Sequence, residues 1–231
     1  MEGRVQAVLA QLQAHASAKT LAEMGPRYGL VVEKAMGVPM ARMLAVANPL
    51  APDHDLAQAL WDTGWYEARM VACMIDDPAQ VTPQQMDAWR LDFDNWGIVD
   101  TVCFKLWDQV PHAHAKIAEW ASLNDEFGRR AAYALLACTA LHGNGSDDDF
   151  LAGLKLIETG ATDSRNFVRK GVNWALRAIG GKKSPVLRAE ARAVLSADAA
   201  RRVATADKTA RWNGKDALRA FAKADAKGNA A

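Results

Sequence analysis

Within the stretch FDNWGIVD, residues 93–100, a tryptophan and an aspartate stand four residues apart, Trp96 and Asp100. On a helix this spacing puts both side chains on one face. Steps of three and four residues then reach Cys103 and Trp107. The expected element is a helix from about Asn95 to Val110 with Asp94 as its cap. A carboxylate moved into a dry core is costly unless it is paired or hydrogen-bonded, so this face should not be fully dry. Two readings stand. Either Asp100 makes a structural salt bridge to an arginine of a neighbouring helix and Trp96 is plain core, or the face opens into a groove with Trp96 exposed beside the carboxylate.

A second tryptophan carries a different pattern. In VNWALRAIGG, Trp174 lies four residues after Lys170 and three before Arg177, and all three can share one helical face. An indole between two cations suits a surface that meets a polyanion bearing flat rings. The charge distribution agrees. The net charge is +1 overall. However, residues 1–164 hold 12 Lys/Arg against 22 Asp/Glu, and residues 165–231 hold 16 against 5. Such a polarity points to an anionic partner, nucleic acid first. A basic, frayed C-terminal tail without a ligand is the other reading.

The elements that must position these residues are helices. Apolar residues recur at three- and four-residue steps through segments of 10–16 residues, and no convincing period-two runs appear. Short breakers separate them: GVP at 37–39, NPLAPD at 48–53, DDPAQVTP at 76–83, VPHA at 110–113, HGNGSDDD at 142–149 and GGKKSP at 180–185. Thr82 followed by Pro83 reads as a cap and first turn, and Ser146 or Asp147 as a cap before Phe150. WYEARMVACMI (65–75), FGRRAAYALLACTAL (127–141) and FVRKGVNWALRAIG (167–180) each open on an aromatic. Each places Arg or Lys three or four residues later, at Arg69, Arg130 and Lys170, and NWGIVDTVCFKLW (95–107) fits as a degenerate copy. Phe127 and Phe167 are 40 residues apart, a period suited to stacked helical pairs of the HEAT or armadillo kind. Such stacks present a curved, concave surface, and the recurring basic position would line one face of it.

Other chemistries find little footing. Cys73, Cys103 and Cys138 lie 30 and 35 residues apart in apolar helical patterns, so buried reduced thiols in a cytoplasm are expected rather than a disulfide or zinc framework. His112 and His114 lack an evident third ligand, so no metal is expected. GNGSDDDF lacks the alternating carboxylates of a calcium loop and reads as a capped acidic turn. No apolar run approaches a membrane span, the N-terminus reads as an amphipathic helix, and no nucleotide loop or Ser-His-Asp signal is found.

FDNWGIVD, then EFGRRAAYALLA, then FVRKGVNWALR, with MGPRYGLVVEKAMGVPMARML near the start, together resemble the AlkD-type DNA alkylation-repair glycosylases over roughly residues 1–180. The resemblance implies an all-α, right-handed stack of HEAT-like repeats, an α-solenoid with a concave basic face along which double-stranded DNA is held. It implies excision of cationic N3- or N7-alkylated purines from the duplex without a deep base-flipping pocket and without a cofactor. Carried onto this chain, Trp96, Asp100 and Trp174 would face the lesion, Arg130 would hold a phosphate, Tyr28 would lie near the DNA and Arg177 would follow the second tryptophan. Arg129, Arg169 and Lys170 join the DNA-binding set. Related chains often carry Asp directly after the first tryptophan, where Gly97 stands here.

The chemistry explains why such residues would serve. Cleaving an N-glycosidic bond leaves an electron-poor sugar, as in glycoside hydrolysis, and a cationic base is already a good leaving group. One carboxylate can stabilise the sugar and accept a proton from the attacking water, and indole faces attract the cationic lesion. On this reading residues 1–211 form one repeat domain, residues 212–231 a basic Ala/Lys-rich tail, either a short helix or disordered, and the protein acts as a monomer with no obligate protein partner. A non-catalytic HEAT-like protein that binds damaged or branched DNA is the alternative, and a protein-binding helical scaffold a more distant one.

Overall fold

A computed structural model describes residues 1–181, 184–194 and 208–228. Lys182 and Lys183 of the expected GGKKSP break, residues 195–207 of the expected repeat domain and the last three residues of the tail lie outside the described residues. The described chain is all helical, with no strand. It groups into two compact units, Met1–Val110 and Pro111–Ala231.

The first unit contains α1 (Glu2–Ala14), α2 (Ala18–Tyr28), α3 (Met40–Ala47), α4 (His54–Trp61), α5 (Tyr66–Ile75), α6 (Pro83–Leu91) and α7 (Trp96–Lys105), then a 3₁₀ turn at Trp107–Gln109. Helix α5 is its centre and packs against α1, α3, α4 and α7. Ala68, Met70, Val71, Ala72, Cys73 and Ile75 are all buried, so α5 is apolar around most of its circumference, as a helix surrounded by others must be. Trp61 and Trp89 stack in parallel with centroids 3.9 Å apart, and Phe93 meets Trp61 edge-on. The Trp61 indole N–H donates to Asp92 Oδ2 at 2.7 Å.

The second unit contains α8 (Ala113–Trp120), α9 (Glu126–His142), α10 (Asp147–Gly160), α11 (Asn166–Gly180), a helix α12 over residues 185–194, and α13 (Lys208–Gly228). Helix α9 is its centre, packed against α8, α10 and α11. Every residue from Arg130 to Ala140 is buried. Several starts follow local chemistry legible in the sequence. Thr82 Oγ1 accepts from Gln85 N ahead of Pro83, and Ser146 with Asp149 forms a reciprocal capping box. His114 Nε2 sits 2.9 Å from the Asn144 carbonyl and its ring meets Phe150 edge-on, which seats the turn before α10.

The basic C-terminal segment is built into the second unit. Helix α13 starts at Lys208, ahead of the expected boundary at Trp212, and runs 21 residues. It docks on α11 by burying Asn213, Ala217 and Phe221. Asn173 Nδ2 donates to the Asn213 carbonyl, and Asn213 Nδ2 to the Ala161 carbonyl, both at 3.2 Å. The Phe221 ring lies where a Cβ on Gly180 would stand. Gly180→Ala should therefore unseat this end of α13 and cost about 1–3 kcal/mol, the usual range for overpacking. The check is a lower melting temperature together with faster tryptic cleavage at Lys215 and Arg219.

Candidate functional site

Helix α7 differs from its expectation at both ends. Asn95, not Asp94, is the cap: its Oδ1 accepts from Ile98 N at 3.0 Å, while its Nδ2 donates to Asp94 Oδ1 at 2.6 Å. The helix stops at Lys105 rather than Val110. Leu106 leaves helical geometry (φ −131°, ψ −63°), and Trp107 turns fully inside. The outward stripe is therefore Trp96, Asp100 and Phe104, at steps of four, whereas Cys103 and Trp107 belong to the core. Trp96 and Asp100 are half-buried, neither dry core nor fully solvated.

The orientation of Trp96 is fixed by the end of α2. A helix leaves its last four carbonyls without intrahelical partners. Gly29 closes α2 in the left-handed region at φ 64°, and the Trp96 indole N–H donates to the Tyr28 carbonyl at 3.1 Å. Tyr28, Trp96 and Asp100 are thus brought onto one part of the first unit. The Tyr28 ring is exposed, with the Arg27 guanidinium 5.2 Å from its centroid. Gly97 has a steric reason: a Cβ there would lie 2.9 Å from both Leu30 Cδ2 and Tyr66 Oη. A side chain there would need the ends of Leu30 and Tyr66 to shift.

Beneath this corner the 29–39 loop is held by a residue that sequence reasoning missed. Glu67 is completely buried, and its carboxylate accepts from Met36 N at 3.0 Å, Gly37 N at 2.7 Å and Val38 N at 3.2 Å. Tyr66 N donates to the Lys34 carbonyl at 2.9 Å, and Lys34 Nζ to the Thr63 carbonyl at 2.7 Å. The loop and α7 border an open depression of about 480 Å³ lined in part by Lys34, Tyr66, Arg69 and Asp94. Burial pushes the Tyr66 phenol well above its ordinary range, so it stays neutral there. Arg69 lies over Trp61 and pairs with Asp92 at 3.1 Å.

The second unit holds the other expected residues. On α11, Val168, Gly171, Val172, Ala175, Leu176 and Ile179 are buried, and Lys170, Trp174 and Arg177 face outward. The cation–indole–cation stripe is therefore a surface feature. Arg177 approaches Asp216 of α13 at 3.7 Å. Arg169 lies over the Trp212 ring at 4.6 Å.

Two residues at the start of α9 are largely committed within the unit. Arg129 pairs with Asp163 at 3.2 Å. Arg130, expected to hold a phosphate, is only 6% exposed and donates to the Phe167 carbonyl at 2.7 Å. The repeat position expected to line one basic face thus splits. Arg69 and Arg130 are spent on neighbouring aromatics and carbonyls, and only Lys170 is fully outward.

Asp163 ties the starts of α9 and α11 together. Burial pushes its carboxyl up, but hydrogen bonds from Arg165 and the charges of Arg165 and Arg129 outweigh this and hold it below the ordinary range. Asp53, the cap of α4, is likewise held low, first by its hydrogen bond from Arg4. A depressed carboxylate stabilises the fold above its unfolded value, and that contribution is lost as pH falls toward the folded one. Melting temperature should therefore fall as pH drops below about 4. The acid slope should be shallower in Asp163→Asn, which a melting series from pH 6 to 3 measures.

The family model described as DNA alkylation repair enzyme matches residues 8–221. No curated protein matches the chain. Among solved structures, one reported under "A new family of proteins related to the HEAT-like repeat DNA glycosylases with affinity for branched DNA structures" superposes with a TM-score of 0.73 at 19% identity. The match covers 83% of this chain and 82% of that one. The HEAT-like, all-α fold is common to both.

Proposed function

The chain belongs to the DNA alkylation repair enzyme family, and we propose from that premise that it excises cationic N3- or N7-alkylated purines from duplex DNA by hydrolysing the N-glycosidic bond. The observation that carries this reading is the outer stripe of α7: a carboxylate one turn from an indole whose orientation is fixed by the Tyr28 carbonyl. In the proposed step a water oxygen attacks the sugar C1′ as the C1′–N9 bond breaks. The bonding electrons leave with the purine and cancel its positive charge, and the water proton passes to Asp100. The Asp100 carboxylate also stabilises the oxocarbenium character of the sugar.

Trp96 favours a cationic base over a neutral one through its ring face, and Trp174 offers the same kind of contact on its own unit, each contributing roughly 0.5–2 kcal/mol. Lys170, Arg177 and the more sheltered Arg129 and Arg169 supply phosphate contacts and with them salt dependence. Arg130, bound to the Phe167 carbonyl, sets the start of α11 more than it can reach DNA. The protein works on the duplex as a monomer without a cofactor.

A second reading is a non-catalytic protein that binds branched DNA. The description of the superposed solved structure favours it, and Asp100 would then be a bystander. Purified protein in excess over methylated duplex separates the two. Time-dependent release of methylated purine supports excision. Tight binding to a four-way junction with no release would put the second reading first.

A further inference from the structure

We propose that the open depression beside the start of α7 is a purine-binding site that holds the alkylated base by its amino edge; the choice of ligand rests on the function proposed above. At about 480 Å³ the depression falls within the size range of small-molecule sites. Val32 and Ile98 give it apolar surface on which a flat ring can lie. Tyr66 is only 7% exposed, yet its hydroxyl makes no hydrogen bond among the described residues. A sheltered polar group without a protein partner is left for water or a ligand. Burial keeps this phenol protonated, so it offers a proton to a ring nitrogen or a carbonyl. The hydroxyl lies 2.9 Å from the place of a Cβ on Gly97, the residue after Trp96. The depression thus adjoins the segment that carries the indole proposed to meet the lesion, and a base has a short path into it.

The charges around the depression sort the candidate ligands. Its two cations are committed to the protein: Lys34 Nζ donates to the Thr63 carbonyl at 2.7 Å and lies 4.9 Å over the Trp65 ring, and Arg69 pairs with Asp92 at 3.1 Å. The carboxylates are less engaged. Asp94 accepts through Oδ1 from Asn95, and Glu33 is exposed with no ion pair among the described residues. A phosphate would meet two carboxylates with both cations already in use. A lysine or arginine side chain would satisfy the carboxylates but, bearing donors only, would leave the phenol O–H without an acceptor. An adenine answers both needs, because its N6 amino donor stands beside the N7 acceptor. The same edge is shown by a base still joined to an extruded nucleotide and by the free base after release.

The test titrates free 3-methyladenine into the full-length protein and follows the backbone amide signals by NMR. The signals of Gly64 and Gly97 should move and saturate in the millimolar range, as suits so small a ligand in an open site. The analogue 3-methylpurine, which lacks the amine, should move them little. Tyr66→Phe should weaken binding of 3-methyladenine about 3–10-fold, the worth of one net hydrogen bond. Its melting temperature should not fall, because the hydroxyl holds nothing within the protein. Glu33→Gln, on the exposed rim, should weaken binding by a smaller factor.

A second arm separates the two sources of the base. It uses a methylated duplex whose lesion carries a 2′-fluoro sugar, which resists cleavage. If Tyr66→Phe also lowers the preference for this duplex over an unmethylated one, the depression takes the base while it is still joined to the strand. If Tyr66→Phe affects free 3-methyladenine alone, the depression takes the released base. Either result supports the site. Unmoved signals, equal shifts with 3-methylpurine, or equal affinity in wild type and Tyr66→Phe overturns it. The titration needs no turnover, so failure of base release by the wild type would remove the proposed chemistry without deciding this point.

Discussion

Asp100→Asn is expected to slow single-turnover release of methylated purine by about 10²–10³-fold, or roughly 3–4 kcal/mol of transition-state stabilisation. Asparagine keeps the shape of the side chain and one acceptor oxygen, so positioning survives. It removes the fixed negative charge that opposes the growing positive charge of the sugar, and it cannot take the proton of the attacking water. The loss is large because Asp100 is half-buried beside Trp96, where its field is screened less than in open water. Binding to the same duplex should be unchanged or slightly tighter, because a carboxylate facing phosphates is removed. A variant that binds normally and releases purine at the wild-type rate would take Asp100 out of the chemistry.

The second large effect lies behind the site. Glu67→Ala is expected to destabilise the first unit by about 3–5 kcal/mol, as it leaves the backbone N–H groups of Met36, Gly37 and Val38 buried without their acceptor. For a chain of this size that corresponds to a fall of roughly 10–15 °C in melting temperature. Glu67→Gln retains one acceptor oxygen and should cost less. The 29–39 loop leads directly from Tyr28, whose carbonyl anchors Trp96. Base release at a temperature where the variant is still folded should therefore slow as well, while binding through the second unit persists. Calorimetry, with base release measured alongside, checks both parts.

What was legible in the sequence depended on how local the physics was. Helix positions and the repeat pattern could be read because capping and apolar periodicity act within a few residues, as at Thr82–Pro83 and Ser146–Asp149. The cap of α7 could not be separated from its neighbour, since Asp94 and Asn95 both suit that role and the choice rests on which one reaches Ile98 N. The early end of α7 depends on the burial of Trp107, which is decided by packing partners and not by local preference. Arg130 looked like a phosphate ligand because its partner, the Phe167 carbonyl, lies 37 residues away. Glu67 drew no notice for the same reason, its donors being about 30 residues distant. In the last segment, Ala- and Lys-rich composition pointed to a tail, although Asn213, Ala217 and Phe221 already carried a buried face at helical spacing.

The claim at the centre of this account is that a carboxylate and the indole one turn before it act on a base because that base is positively charged. The most direct measurement compares, under single turnover, two duplexes of identical sequence, one with a cationic N7-methylguanine and one with an uncharged hypoxanthine at the same position. The account predicts release of the methylated base alone, slowed about 10²–10³-fold by Asp100→Asn while both duplexes remain bound. Release of neither base, or of both at similar rates, would contradict it.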